Sequence, residues 1–128
     1  MRLPMFPMRP LLFVFSIVAT ACFLTTVPVP AHAEDVVTGE ILDMACYIPK
    51  GAKGPSHARC AQTCAEHGMP LGVLAEDGTI YLLYPKHGKE EAFDEVKKLA
   101  GKKAKLTGKK AERDGLRGLE VQAAVAAD

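Results

Sequence analysis

The sequence predicts a mainly β domain with two helices, an α+β fold in which five strands close into a small barrel. Short apolar stretches with an alternating pattern recur along residues 36–126, and turns containing glycine separate them. Two further segments carry helical signals instead. Closing five short strands into a barrel also removes the exposed strand edges that an open sheet would leave.

The N-terminal residues 1–33 have the pattern of a secretory signal peptide. Two arginines precede an uncharged apolar run at residues 11–24, and an Ala-His-Ala tripeptide ending at Ala33 is a small-residue cleavage site. The run is shorter than the about 20 apolar residues that a membrane-spanning helix needs. We therefore expect cleavage near Ala33 and a periplasmic or secreted protein. Lipid anchoring at Cys22 is the alternative, because the residues before it resemble a lipidation motif.

Residues 34–128 are predicted to form one domain. All 15 acidic residues and all but two of the 16 basic residues lie in it, so its net charge is close to zero. This balance gives no electrostatic reason to expect nucleic acid as a partner, and no stretch of the domain is apolar enough to cross a membrane. Three of the four cysteines fall in this domain, where export would allow disulfides but an odd count leaves one thiol unpaired.

The first strand is predicted at residues 36–47. Its alternation changes phase around Gly39, which indicates a bulge or a bend. If Leu42 and Met44 face the core, the two-residue period places Cys46 on the same face. Residues 48–55 contain two prolines and two glycines and are therefore predicted to be a loop.

A short helix is predicted next, at residues 57–67. Ser56 has the residue type of an N-cap, and Gly68 that of the residue that follows a helix. The later elements are predicted in the order strand, strand, helix, strand, strand. They span residues 71–75, 79–84, 89–100, 102–108 and 116–126, with Asp-Gly pairs in both hairpin turns and an acidic-to-basic helix between the hairpins.

Five strands with a helix between the third and the fourth have the element order of an OB-fold. On this order the chain resembles small exported bacterial OB-fold proteins, and residues 39–83 also look like a recurring block in small exported bacterial proteins. The resemblance implies a single OB-like domain at residues 34–128, with a Cys/His insertion at about residues 44–70 between the first two strands. It implies no particular activity.

The candidate site is a group of side chains in this insertion. Each helical residue turns the chain by about 100°, so His57, Cys60 and Cys64 share one narrow stripe of the predicted helix, and Cys46 comes from the first strand. Three thiolates and one imidazole suit tetrahedral zinc, whereas two or three thiolates suit copper(I). The Cys-x₃-Cys spacing with a nearby histidine also resembles the metal-binding segment of copper-site assembly proteins, which carry it on a thioredoxin-like fold.

We therefore expect a copper or zinc carrier or sensor rather than an enzyme, with Cys46, His57, Cys60 and Cys64 as metal ligands. Two alternatives stay open. A disulfide from Cys46 to Cys60 or Cys64 would add about 3 kcal/mol by constraining the unfolded chain. The protein would then be a non-metal ligand-binding or interaction module, with another exported protein as its partner. A thiol-redox protein would use Cys60 with a second cysteine, although the chain lacks Cys-x-x-Cys.

Overall fold

The computed structural model describes residues 33–127. Within these residues five strands close into a barrel, and three α-helices lie outside the strands. The predicted signal peptide up to residue 32, and with it Cys22, lies outside the described residues. Of the helices within residues 33–127, none has the length and the apolar character that crossing a membrane requires.

The strands follow the order of an OB-like barrel. Around the barrel the order is β1-β2-β3-β5-β4, and every neighbouring pair is antiparallel except β3 and β5, which are parallel. The strands are β1 (Asp35–Asp43), β2 (Leu71–Ala75), β3 (Ile80–Pro85), β4 (Lys103–Arg113) and β5 (Leu116–Ala126). The helices are α1 (Met44–Lys50), α2 (Ala58–Glu66) and α3 (Glu91–Lys98), and a 3₁₀ turn at Pro55–His57 precedes α2.

Strand β1 closes the barrel because it pairs with β4 along its first part and with β2 along its second part. Gly39 pairs with both neighbours, and a Cβ atom there would overlap the backbone carbonyl of Leu74. The register runs through Gly39 without a shift, so the predicted bulge is absent there. Among the described strands, the register shift lies instead between Thr107 and Gly108 of β4.

The barrel interior continues into the faces of α2 and α3 that cover it. The buried core residues are Val37, Ile41, Leu71, Val73, Leu83, Ala104, Leu106, Leu119 and Val121 of the strands, Ala61 and Ala65 of α2, Val96 of α3, and Ala100. The two alanines of α2 are one helical turn apart and let its backbone come close to the barrel. Gly101, with φ at +75°, lies so close to Ala58 that a Cβ atom would overlap it, so the start of α2 is seated on the end of the α3 segment.

Helix α1 replaces the end of the predicted first strand. Strand β1 ends at Asp43, whose backbone is still extended. The Asp43 side chain caps α1 by accepting a hydrogen bond from the amide of Ala45 at 3.0 Å. Gly51, with φ at +65°, ends the helix. The prediction of a strand through residue 47 is therefore wrong, Cys46 lies on a helix, and there are three helices rather than two.

Within the predicted helical segments 57–67 and 89–100 the structure has the shorter helices α2 and α3. Ser56 lies inside the 3₁₀ turn and is not the N-cap; that position belongs to His57, whose side chain makes no capping hydrogen bond. The end of α2 is as predicted. Gly68 has φ at +81°, and the amides of Gly68 and Met69 donate to carbonyls in the last turns of α2, the Schellman arrangement.

Candidate metal centre

The candidate site lies where the end of β1, helix α1 and helix α2 meet. Asp43 ends β1, Cys46 lies in α1, His57 ends the 3₁₀ turn, and Cys60 and Cys64 lie on α2. The side chains of Cys46 and Cys64 are partly buried, whereas Cys60 is exposed. All three cysteines of the described chain are free thiols in this structure.

The loop between α1 and the 3₁₀ turn is tied back to the barrel. The carboxylate of Glu40, in β1, accepts a hydrogen bond from the amide of Gly54. The carbonyl of Gly54 in turn accepts a hydrogen bond from the amide of His57 at 2.9 Å. The position of the His57 imidazole therefore depends on β1 as well as on α2.

The four predicted ligands, together with Asp43, form two overlapping groups of three. In the first group, the ligand atoms of Cys46, His57 and Cys60 all lie within 4.8 Å of one another. In the second group, those of Asp43, Cys46 and Cys64 lie within the same 4.8 Å. Cys46 belongs to both groups, so the sulfur that the sequence assigned to a strand is the centre of the cluster.

These separations are close to what a bound ion requires. With Zn–S distances of about 2.3 Å, two sulfurs of a tetrahedral site lie about 3.8 Å apart. Donor atoms within 4.8 Å of one another therefore need to approach by at most about 1 Å. The exposed side chain of Cys60 can make such a movement by rotating about its Cα–Cβ bond.

Asp43 is the residue that the sequence argument missed. Its side chain is fully buried, and its carboxylate oxygen Oδ2 lies 3.8 Å from Nε2 of His57. Neither of these buried atoms has a hydrogen-bond partner among the described residues. A buried polar group without a partner costs about 1–3 kcal/mol, so two of them facing each other mark a place where a further group fits.

The Asp43 carboxylate dominates the electrostatics of the neighbouring thiols. The thiol of Cys64 faces this carboxylate, and the contact, together with burial, raises the pKa of Cys64 to about 12. The same carboxylate, followed by burial, raises the pKa of Cys46 above its usual value. Burial by itself raises the pKa of Asp43, but the two thiols and the amide of Ala45 outweigh it and leave the Asp43 pKa below its usual value.

Three other side chains with a nitrogen or sulfur donor do not belong to these two groups of three. His67 ends α2 and belongs to neither group of three, and Met69 is exposed. The sulfur of Met44 packs over Gly72 at the end of the barrel. The donors that the structure brings together are therefore cysteine sulfur, histidine nitrogen and one carboxylate.

No protein-family model, no curated protein and no solved structure matches this chain. The function is therefore inferred from the geometry and the chemistry of the cluster.

Proposed function

We propose that the protein is an exported carrier or sensor of a copper or zinc ion, which Cys46, His57, Cys60 and Cys64 bind. The observation that carries the proposal is the group formed by Cys46, His57 and Cys60. These residues come from two separate helical segments, and their sulfur and nitrogen donors lie within 4.8 Å of one another. Sulfur and imidazole nitrogen are donors that both ions accept. Export is proposed from the signal-peptide pattern before Ala33.

The protonation of Cys46 and Cys64 counts against either of them as the nucleophile of a thiol-redox reaction. Reactive cysteines in thiol–disulfide enzymes have a lowered pKa, because the thiolate is the nucleophile. The pKa of Cys46 and that of Cys64 are both raised instead. A metal ion can bind such a thiol by displacing its proton, and its affinity then depends on pH.

Native mass spectrometry of the mature protein, loaded with zinc or copper and exchanged into a volatile buffer, tests the proposal. We expect one bound ion in the wild type, and loss of that ion when Cys60→Ser or Cys46→Ser removes a ligand. His57→Ala should weaken binding by more than the roughly 10–100-fold that loss of a residue orienting a ligand causes. His67→Ala is the matched control, because His67 lies in neither group of donors, and it should bind as the wild type does.

The same measurements also define the results that would reject the proposal. A metal-free protein, lighter than the reduced chain by the two hydrogens that a disulfide loses, would reject the metal-binding proposal. It would support the non-metal module in which Cys46 is joined to Cys60 or Cys64. A wild type and a His57→Ala variant with equal affinity would remove His57 from the site.

A further inference from the structure

The strongest unexplained feature of the cluster is the second oxygen of Asp43. Oδ1 accepts the amide of Ala45 at 3.0 Å and caps α1, which accounts for one half of the carboxylate. Oδ2 is buried, forms no well-aligned hydrogen bond within residues 33–127, and faces the thiols of Cys46 and Cys64 and the equally unpartnered Nε2 of His57. A capping role alone would not need the second oxygen to be directed into a group of thiols.

The distance between these two atoms fits an ion better than a hydrogen bond. A separation of 3.8 Å is longer than the 2.7–3.2 Å of a normal N–H···O hydrogen bond. Two tetrahedral ligands bound at about 2.1 Å through oxygen and nitrogen lie about 3.4 Å apart. The oxygen of Asp43 also lies within 4.8 Å of the sulfurs of Cys46 and Cys64.

We propose that Asp43 is a direct metal ligand through Oδ2, as a fifth donor beside Cys46, His57, Cys60 and Cys64 in an expanded zinc shell, and that it makes the site select zinc(II) over copper(I). This inference rests on the proposed metal-binding function and narrows its choice of ion. A carboxylate is a hard oxygen donor, which zinc(II) accepts alongside histidine and cysteine. Copper(I) prefers soft sulfur donors and gains little from a carboxylate. The negative charge of Asp43, buried beside the thiolates, is also better balanced by a divalent ion than by a monovalent one.

The test separates the ligand role of Asp43 from its capping role. Asp43→Asn and Asp43→Ser each keep a residue that caps helices well, but they remove the carboxylate charge. Asp77→Asn is the matched control, because Asp77 caps the exposed β2–β3 turn through the amide of Thr79 at 2.8 Å, away from the cluster. Zinc(II) affinity and copper(I) affinity are measured for each variant by competition with chromogenic chelators. Circular dichroism verifies that each variant is folded.

The wild type is expected to bind zinc(II), and both Asp43 variants should bind it more than about 100-fold more weakly, because losing a residue that only orients a ligand costs about 10–100-fold. A smaller loss would overturn the direct-ligand role. The copper(I) affinity of both variants should change by less than about threefold, because the thiolates remain. Equal losses for both ions would overturn the inference and leave Asp43 as a cap. Unchanged zinc affinity would overturn it as well.

The result for the wild type shows which proposal has failed. A wild type that binds copper(I) but not zinc(II) would overturn the role of Asp43 and leave the metal-binding function standing. A wild type that binds neither ion would overturn both.

Discussion

Metal removal should loosen helix α1 while the barrel remains folded. Helix α1 has seven residues, contains Pro49 and buries none of its side chains. Isolated helices shorter than about 12–15 residues are marginal in water, and the Asp43 cap contributes only about 1 kcal/mol. Without an ion at Cys46, α1 is held mainly by this cap and by the contacts of its first residue, Met44, with Gly72 and Pro70.

The size of the effect follows from binding linkage. If α1 must be closed for Cys46 to bind the ion, free zinc at about 100 times its Kd stabilises the closed form by about 2.7 kcal/mol. Opening then becomes about 100-fold rarer, and amide hydrogen exchange slows by the same factor. The amide of Gly51, which donates to the carbonyl of Tyr47 at 2.7 Å, is a direct reporter of the closed helix.

Hydrogen–deuterium exchange with mass spectrometry measures this effect with and without a zinc chelator. Peptides that cover residues 44–51 should exchange about 100-fold more slowly with zinc. The tip of the β4–β5 hairpin, around Gly115, opens without disturbing the cluster and should keep its rate. Equal rates at residues 44–51 with saturating zinc bound would refute the reasoning, because they would show that Cys46 does not hold the ion.

Three further predictions test the scaffold and the protonation of the site. Gly101→Ala should destabilise the protein by about 2 kcal/mol in urea unfolding, because φ is +75° and the new Cβ would overlap Ala58. Gly115→Ala is the control and should cost about 1 kcal/mol, because φ is +83° but the space around it is open. Equal costs would contradict the close packing of Gly101 against the start of α2. Val96→Ala should cost about 2 kcal/mol because Val96 is fully buried, and zinc affinity should not change; an altered affinity would link the core to the site. The Asp43 carboxylate raises the pKa of Cys64 to about 12, so this thiol is protonated near neutral pH. Zinc affinity should therefore rise about tenfold per pH unit for each thiol proton that the ion displaces, and calorimetry should detect the released protons. A flat pH dependence would rule out thiolate ligands.

The error at the end of β1 shows where sequence reasoning reaches its limit. Leu42, Met44 and Cys46 alternate with other residues in a way that fits a strand, and seven residues are too few for the helical period to override that pattern. The helix was nevertheless marked at both ends, by Asp43 as a cap and by Gly51 as a left-handed residue. Helix α2 was recognisable because Gly68 provides the same end signal after a longer helical segment.

The same error hid Asp43 from the candidate site. On a strand, Asp43 would point away from the face shared by Leu42 and Met44, and an aspartate on that side would be taken as solvent-exposed. In the structure Asp43 ends β1 in register with the core residues Val37 and Ile41, and its carboxylate is buried among the cysteines. The convergence of Cys46 on His57 and Cys60 follows from the path of the chain through α1 and its loop, which no local pattern describes.

The base of the insertion explains why binding and folding can be separated. Asp43 and Leu71 are paired neighbours in β1 and β2, and the amide of Met44 donates to the carbonyl of Pro70 at 3.0 Å, so residues 44–70 form a loop that the barrel already closes. An ion that joins Cys46 to α2 therefore links two parts of a loop whose ends are fixed, and it adds little to the closure of the barrel itself. Apo protein should accordingly retain the far-ultraviolet circular dichroism of the strands. This independence is what a carrier needs, since it must release its ion without unfolding; loss of the strand signal on chelation would instead make the metal a structural part of the barrel.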